Sequence, residues 1–260
     1  MKLSVHVHLD YELAGPTDLL LQIEAADIPE QAIEWKDLIL PRADHIAHVP
    51  AQDGIGERIW LRMSGKMVVD YRARIVVNRN LADCRQLQRV PPHQLPGETI
   101  PYLLSSRYCE SDRFQSFVEE EFGTLQGGEL VIAMRDWVHH HVRYVPGSSD
   151  VMTTAADTFI SRRGICRDYA HLLITLARSA GIPARIASVY AVGVEPPDFH
   201  AVAEIFLEGE WHLVDATGMA REAGMAKIGV GRDAADVAFL TTFGGARLID
   251  QYVAVEPCLE

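Results

Sequence analysis

The stretch GICRDYAHLLITLARSAGIP, residues 164 to 183, sets one cysteine, Cys166, at the first turn of a helix with almost no polar face. Tyr169, Ala170, Leu172, Leu173, Ile174, Leu176, Ala177 and Ala180 are spread over about four turns, so the helix belongs in the interior. Gly164 allows a sharp entry, and Gly181 followed by Ile182 and Pro183 supplies a left-handed cap and a stop. The start of a helix offers unpaired backbone N–H groups and the positive end of the peptide dipole, which favour a thiolate and mark Cys166 as a nucleophile. A buried cysteine on its own is an ordinary small hydrophobe, so this reading needs a base.

Among eleven histidines, the segment FHAVAEIFLEGEWHLVDAT, residues 199 to 217, offers the best placed one. Two alternating runs flank Glu208-Gly209, a dipeptide suited to a tight hairpin, so Leu207 pairs with Glu210 and Phe206 with Trp211. Counting back puts Val202 opposite Asp215, and His200, Val202 and Asp215 then share one face. Diagonal neighbours in an antiparallel pair stand about 7 to 8 Å apart, within reach of a carboxylate and an imidazole. The other imidazole nitrogen is left for Cys166. A three-residue loop or a bulge would instead turn Asp215 to the opposite face.

The order Cys, His, Asp, with GxCRDxAxLxxxLxRxxGIPAR at the cysteine and HAxxE leading to GxWxxxDxT at the acid, resembles the bacterial transglutaminase-like superfamily. TTAADTF and ISRRGICRDYAHL upstream and GRDAADV at 231 to 237 extend the likeness from about Ser105 to the C-terminus. The resemblance implies a papain-like core in which Cys166 is the nucleophile, His200 the base and Asp215 the group that orients the imidazole, and a β-rich N-terminal domain over residues 1 to about 85. Two positions depart from the family pattern: Val202 stands where tryptophan is usual, and Ala216 where proline is usual.

The implied activity is cysteine-dependent hydrolysis of peptide or related amide bonds through a thioester. Protein-glutamine amine transfer uses the same triad, and a binding module that keeps the triad with a closed cleft is the non-enzymatic alternative. The Cys166 N–H is one oxyanion donor; Tyr144, in HVRYVPGSS, is either a second donor or a packing residue. Asp168 reads as a structural first-turn acid, and Arg185 as its partner or that of another buried acid.

Composition fits this class. The 260 residues exceed one typical domain, and a hydrophobic content of 48% supports a sizeable core. A net charge of -12 disfavours nucleic acid and anionic membranes as partners, and the resemblance implies a peptide or protein substrate. The N-terminus MKLSVHVHLDYEL alternates like a half-buried strand rather than a signal peptide or anchor, and the four cysteines at 84, 109, 166 and 258 suit a reducing cytoplasm. His6 and His8 share a polar strand face, and His139, His140 and His141 fan around a helix end, so neither group assembles a metal site and no cofactor is expected.

Along the chain, runs near 3 to 13, 17 to 25, 57 to 63 and 66 to 78 read as strands separated by turns at Gly15-Pro16, Asp53-Gly54 and Ser64-Gly65. They predict an all-β sandwich over residues 1 to 85, and proline-rich residues 86 to 104 read as a linker. Residues 105 to 260 read as an α+β catalytic domain, with helices at 112 to 122 and 129 to 141 packed on an antiparallel sheet. The strands expected in that sheet are 185 to 194, 200 to 207, 210 to 215 and 247 to 255, with GRDAADV in a surface crossing.

Overall fold

The computed structural model describes residues 1–258. In chain order the strands are β1 (Lys2–Leu21), β2 (Gln31–Ile39), β3 (His45–Pro50), β4 (Glu57–Val77), β5 (Arg143–Tyr144), β6 (Arg163–Gly164), β7 (Ala184–Ala191), β8 (His200–Leu207), β9 (Glu210–Val214), β10 (Met225–Gly231), β11 (Leu240–Thr242) and β12 (Ala246–Pro257). The helices are α1 (Gln115–Phe122), α2 (Gly127–His141), α3 (Ala155–Ser161) and α4 (Cys166–Ser179). No helix among the described residues is long and apolar enough to cross a membrane. The class is α+β, with antiparallel sheets in both the core and the β-rich region.

The β-rich region is one six-stranded sheet organised around β1 and β4. Both run straight through the places where the sequence predicts turns. The register steps from Leu13 opposite Gly65 to Thr17 opposite Met63, so Ala14, Gly15 and Pro16 oppose only Ser64. Gly15-Pro16 and Ser64-Gly65 therefore make a bulge, not reversals, and Gly65 meets its demand with a φ of +79°. Buried residues from both sides of the bulge, Leu3 to Leu9 and Leu19 to Leu21, meet in one core. Strands β2 and β3, which the sequence reading passed over, flank β4.

The strand expected at 247 to 255 is present as β12, but its partner differs. It pairs with β1 from Leu3 opposite Pro257 to Leu13 opposite Ala246, so the chain's end returns to the first sheet. The expected assignment of all residues from 105 to 260 to the catalytic unit is corrected there. Alternation identifies a strand without identifying its neighbour, and β12 lies more than two hundred residues from β1. The fourth strand of the catalytic sheet is β10, in the order β10-β7-β8-β9.

That four-stranded sheet is covered on both faces. Ala203, Ile205 and Leu207 of β8 share a core with α4 and α2, while Tyr190, Ala226 and Ile228 belong to the core of the β-rich sheet. The stretch read as a linker is docked, not free. It contains short 3-10 turns at Cys84–Gln86, Pro92–Gln94 and Gly97–Tyr102, buries Tyr102, and receives the Gly128 N–H on the Leu87 carbonyl at 2.8 Å.

Helix α4 ends as its sequence predicts. Gly181 at φ +70° donates to the Arg178 carbonyl at 2.9 Å and Ile182 to that of Ala177 at 3.0 Å, the paired bonds of a Schellman cap. GRDAADV is not a surface crossing throughout. Asp233 is buried and accepts the Tyr108 N–H at 2.8 Å, and Ala234 N–H donates to His171 Nε2 at 3.1 Å.

Candidate active site

Cys166 is the first residue of α4, and Ile165 is its N-cap. The helix start is fixed from within: Asp168 reaches back so that its Oδ2 accepts the Ile165 N–H at 2.8 Å, half of a capping box. Asp168 is fully buried, and Arg167 lies 3.6 Å from its second oxygen. Gly164 is needed for room and not for a turn, since a Cβ there would stand 2.6 Å from the Asp168 Cβ. Of the two partners expected for Arg185, Asp168 or another buried acid, the structure shows the second: Arg185 donates to buried Glu204 at 2.7 Å, and also to Asp53 at 2.8 Å.

The hairpin of β8 and β9 has the predicted register, with Leu207 opposite Glu210, Phe206 opposite Trp211 and Ala203 opposite Val214. Glu208 at φ +50° and Gly209 at φ +90° form its two-residue turn. His200 opens β8 and Asp215 follows β9, and His200 Nε2 lies 3.0 Å from Asp215 Oδ2. Both side chains are buried. The Asp215 carboxylate also accepts the Thr217 N–H at 2.8 Å, the Thr217 hydroxyl at 2.7 Å and the Ala220 N–H at 3.0 Å. Thr217 thus fixes the backbone after the acid where the usual proline is replaced by Ala216. Sequence reasoning passed over this role, although the Asp-x-Thr spacing is the signal for such a side-chain turn.

Burial alone would raise the Asp215 carboxyl, but the His200 hydrogen bond and charge, with Thr217 and Ala220, hold it below its usual value. For His200 burial acts downward, yet the hydrogen bonding and charge of Asp215 and Cys166 prevail and push its pKa up to about 9. The imidazole is therefore cationic at neutral pH. Its Nδ1 is buried and completes no hydrogen bond. Half-buried Cys166 is near enough to act on the ring without the alignment of a closed bond, as is common where no substrate is bound.

Tyr144 belongs to the same site. Burial and the charge of Cys166 push its hydroxyl up to about 12, while the Cys166 backbone N–H facing it acts the other way. The hydroxyl consequently stays protonated as a donor beside the Cys166 N–H. Val202 is buried in an apolar cluster with Ala187, Val189 and Leu213.

The remaining histidines go elsewhere. His6 Nε2 and His8 Nδ1 contact Asp70 at 3.1 and 3.4 Å. His139 faces the Ala216 carbonyl at 3.3 Å, whereas His140 and His141 contact carbonyls of their own helix at 2.6 and 2.8 Å. Glu24, His48 and Glu57 place potential metal-ligating atoms within 4.8 Å of one another in the β-rich region, but Lys36 already neutralises Glu24 at 2.8 Å.

The transglutaminase-like superfamily core model matches residues 116–216, a span that contains Cys166, His200 and Asp215. The crystal structure of a "putative cysteine protease" from Cytophaga hutchinsonii is 34% identical, covers 98% of this chain and 90% of that one, and superposes with a TM-score of 0.91. The periplasmic domain of TgpA from Pseudomonas aeruginosa is 20% identical over 82% of this chain and 76% of that one, with a TM-score of 0.38. An uncharacterised protein of Mycobacterium leprae is 33% identical over 138 residues, and the match spans about half its length, 49%. With the family core matched at the site-bearing segment and a full-length relative of the same architecture, this chain belongs to the transglutaminase-like superfamily.

Proposed function

We propose that this chain is a cysteine-dependent hydrolase of peptide or related amide bonds, with Cys166 as nucleophile, His200 as acid and base, and Asp215 as the group that orients and charges the imidazole. The observation that carries it is the buried His200–Asp215 hydrogen bond of 3.0 Å, which leaves Nδ1 for the thiol at the helix start. In the forward step the Cys166 thiolate bonds to the substrate carbonyl carbon, and the oxyanion is received by the Cys166 N–H and the Tyr144 hydroxyl. The C–N bond then breaks as His200 passes its proton to the departing amine, leaving a thioester. Water attacks that thioester, gives its proton to neutral His200, and the C–S bond breaks to return the thiolate. An amine attacking in place of water would give amine transfer instead.

The four thiols are unpaired, which suits a reducing cytoplasm. They also provide internal controls, because burial first and nearby acids second push Cys84 up to about 11, and burial chiefly pushes Cys109 up to about 12. Iodoacetamide at mildly acidic pH, with the modified peptides identified by mass spectrometry, is expected to label Cys166 first. His200→Ala is expected to slow that labelling by about tenfold or more. Equal labelling of all four cysteines would defeat the proposal. A labelled primary amine offered with a glutamine-containing protein separates the outcomes: lasting incorporation indicates transfer, and cleavage without incorporation indicates hydrolysis.

A further inference from the structure

Strand β9 ends at Val214, the last residue paired with β8, so Asp215 stands beyond the ladder and the sheet does not fix it. The turn of residues 215 to 220 does. Four hydrogen bonds are internal to that turn: the Asp215 carboxylate accepts the Thr217 N–H, the Thr217 hydroxyl and the Ala220 N–H, and the Thr217 oxygen accepts the Met219 N–H at 3.2 Å. They set the shape of the turn but not its place in the molecule. Among the described residues, two hydrogen bonds reach it from elsewhere. One is the His200 bond to Asp215 itself, and the other comes from His139, near the end of α2, whose Nδ1 donates to the Ala216 carbonyl at 3.3 Å. Gly218, at φ +72°, carries a second mark of the same contact. A Cβ there would stand 3.1 Å from His139 Cε1 and 3.4 Å from Nδ1, so the imidazole lies on the face that the glycine leaves open.

The chain that follows His139 is tied to the nucleophile's side of the site. The Val142 carbonyl accepts the Tyr169 hydroxyl of α4 at 2.6 Å. Tyr144 pairs with Gly164, and the Val145 N–H donates to the Gly164 carbonyl at 3.0 Å, two residues before Cys166. Residues 139 to 145 therefore bridge the turn that carries the acid and the helix that carries the thiol. A carboxylate orients an imidazole only at hydrogen-bond distance and alignment, and a displacement of about 1 Å is enough to forfeit that role.

We propose that His139 is a positioning residue: by holding Ala216 and Gly218 against the end of α2, it sets the Asp215 carboxylate at bonding distance from His200. It touches none of the reacting atoms and acts through Asp215. The proposal rests on the triad acting as described above.

The test follows the His200 titration by NMR and the rate of Cys166 alkylation by iodoacetamide at mildly acidic pH. In His139→Ala the His200 pKa is expected to fall from about 9 by about one pH unit, and alkylation to slow about three- to tenfold, because a weaker bond to Asp215 leaves a weaker imidazolium and a less stable thiolate. His139→Asn, whose amide nitrogen stands where Nδ1 does, keeps the donor and is expected to recover most of both losses. His141→Ala, which removes an imidazole from the same helix end that bonds the Trp137 carbonyl and not the turn, is expected to match the native protein. In an Asp215→Ala background, His139→Ala is expected to add nothing further, since its route to the imidazole is already gone. A His200 titration that His139→Ala leaves in place, an equal shift in His141→Ala, an asparagine no better than alanine, or a further shift in the Asp215→Ala background overturns the proposal. The catalytic reading is judged separately, by Asp215→Ala alone: a titration moved there but not in His139→Ala defeats only the positioning role. Thermal unfolding midpoints of every variant separate a loss of stability, which leaves the titration in place, from a loss of alignment.

Discussion

Asp215 decides how much charge the imidazole carries. It accepts four hydrogen bonds, one of them from His200, so it is held as an anion in place without needing to gain a proton. The His200 pKa near 9 depends on that anion and on Cys166 working against burial. Asp215→Ala is therefore expected to move the His200 titration, followed by NMR, down from about 9 toward or below the ordinary histidine value. A group whose pKa is raised on folding adds stability that is complete below its unfolded value, about 6.5, and is lost as pH rises through its folded value. The stability gap between native protein and variant should accordingly be widest in mild acid and close toward about pH 9. A titration unaltered by the substitution would remove Asp215 from the charge-setting role. The placements of Cys166 at a helix start and of His200 beside Asp215 were legible because each depends on local rules: a helix start, a strand parity and a two-residue turn. Tyr144 was only half legible. No sequence pattern says whether a tyrosine packs or points, and its position comes from the parallel pairing of Arg143–Tyr144 with Arg163–Gly164, which brings its strand beside the helix start.

At the scale of elements, the ends of α4 and the β8–β9 hairpin could be read because their determinants lie within a few residues of one another. The bulge in β1, the partner of β12 and the docking of the linker could not. Glycine and proline punctuate bulges and turns alike, and non-local pairing leaves no mark on alternation. The linker shows the point most sharply: its prolines suggest a tether, yet it is clamped against α2. A Cβ on Gly128 would fall 1.6 Å from the Cys84 carbonyl oxygen, and backbone cannot yield as a flexible side chain can. Gly128→Ala should thus cost about 1–3 kcal/mol, as overpacking does, and lift the segment from the helix. Urea unfolding would record the first effect, and limited proteolysis between residues 86 and 104 the second. Native stability with an uncut segment would mean that the strand of contacts from Cys84 to Leu87 does not hold it.

For the whole molecule, the two sheets are joined by charge as well as by apolar packing. Asp53, in the β3–β4 connection, accepts from Tyr102 at 2.6 Å and from Arg185 at 2.8 Å. Arg185 and Lys227 grip fully buried Glu204 at 2.7 and 2.6 Å, and Lys227 also pairs with Glu30, which Arg79 meets at 3.0 Å. Burial opposes the Glu204 charge, but Lys227 and Arg185 outweigh it and keep the carboxyl below its ordinary value. Such a network need not stabilise more than a well-packed apolar cluster would, yet removing one member strands the others. Glu204→Gln leaves two buried cations without their shared anion and is expected to cost about 3–5 kcal/mol by urea unfolding. Because the Glu204 pKa is lowered on folding, its contribution is complete above the unfolded carboxylate value and is lost as pH falls through the folded one. The native protein and Glu204→Gln should therefore differ most near neutral pH and converge in acid. A gap that stays constant down to acid pH would place the loss in packing or geometry, and the junction between the two sheets would then rest on its apolar contacts alone.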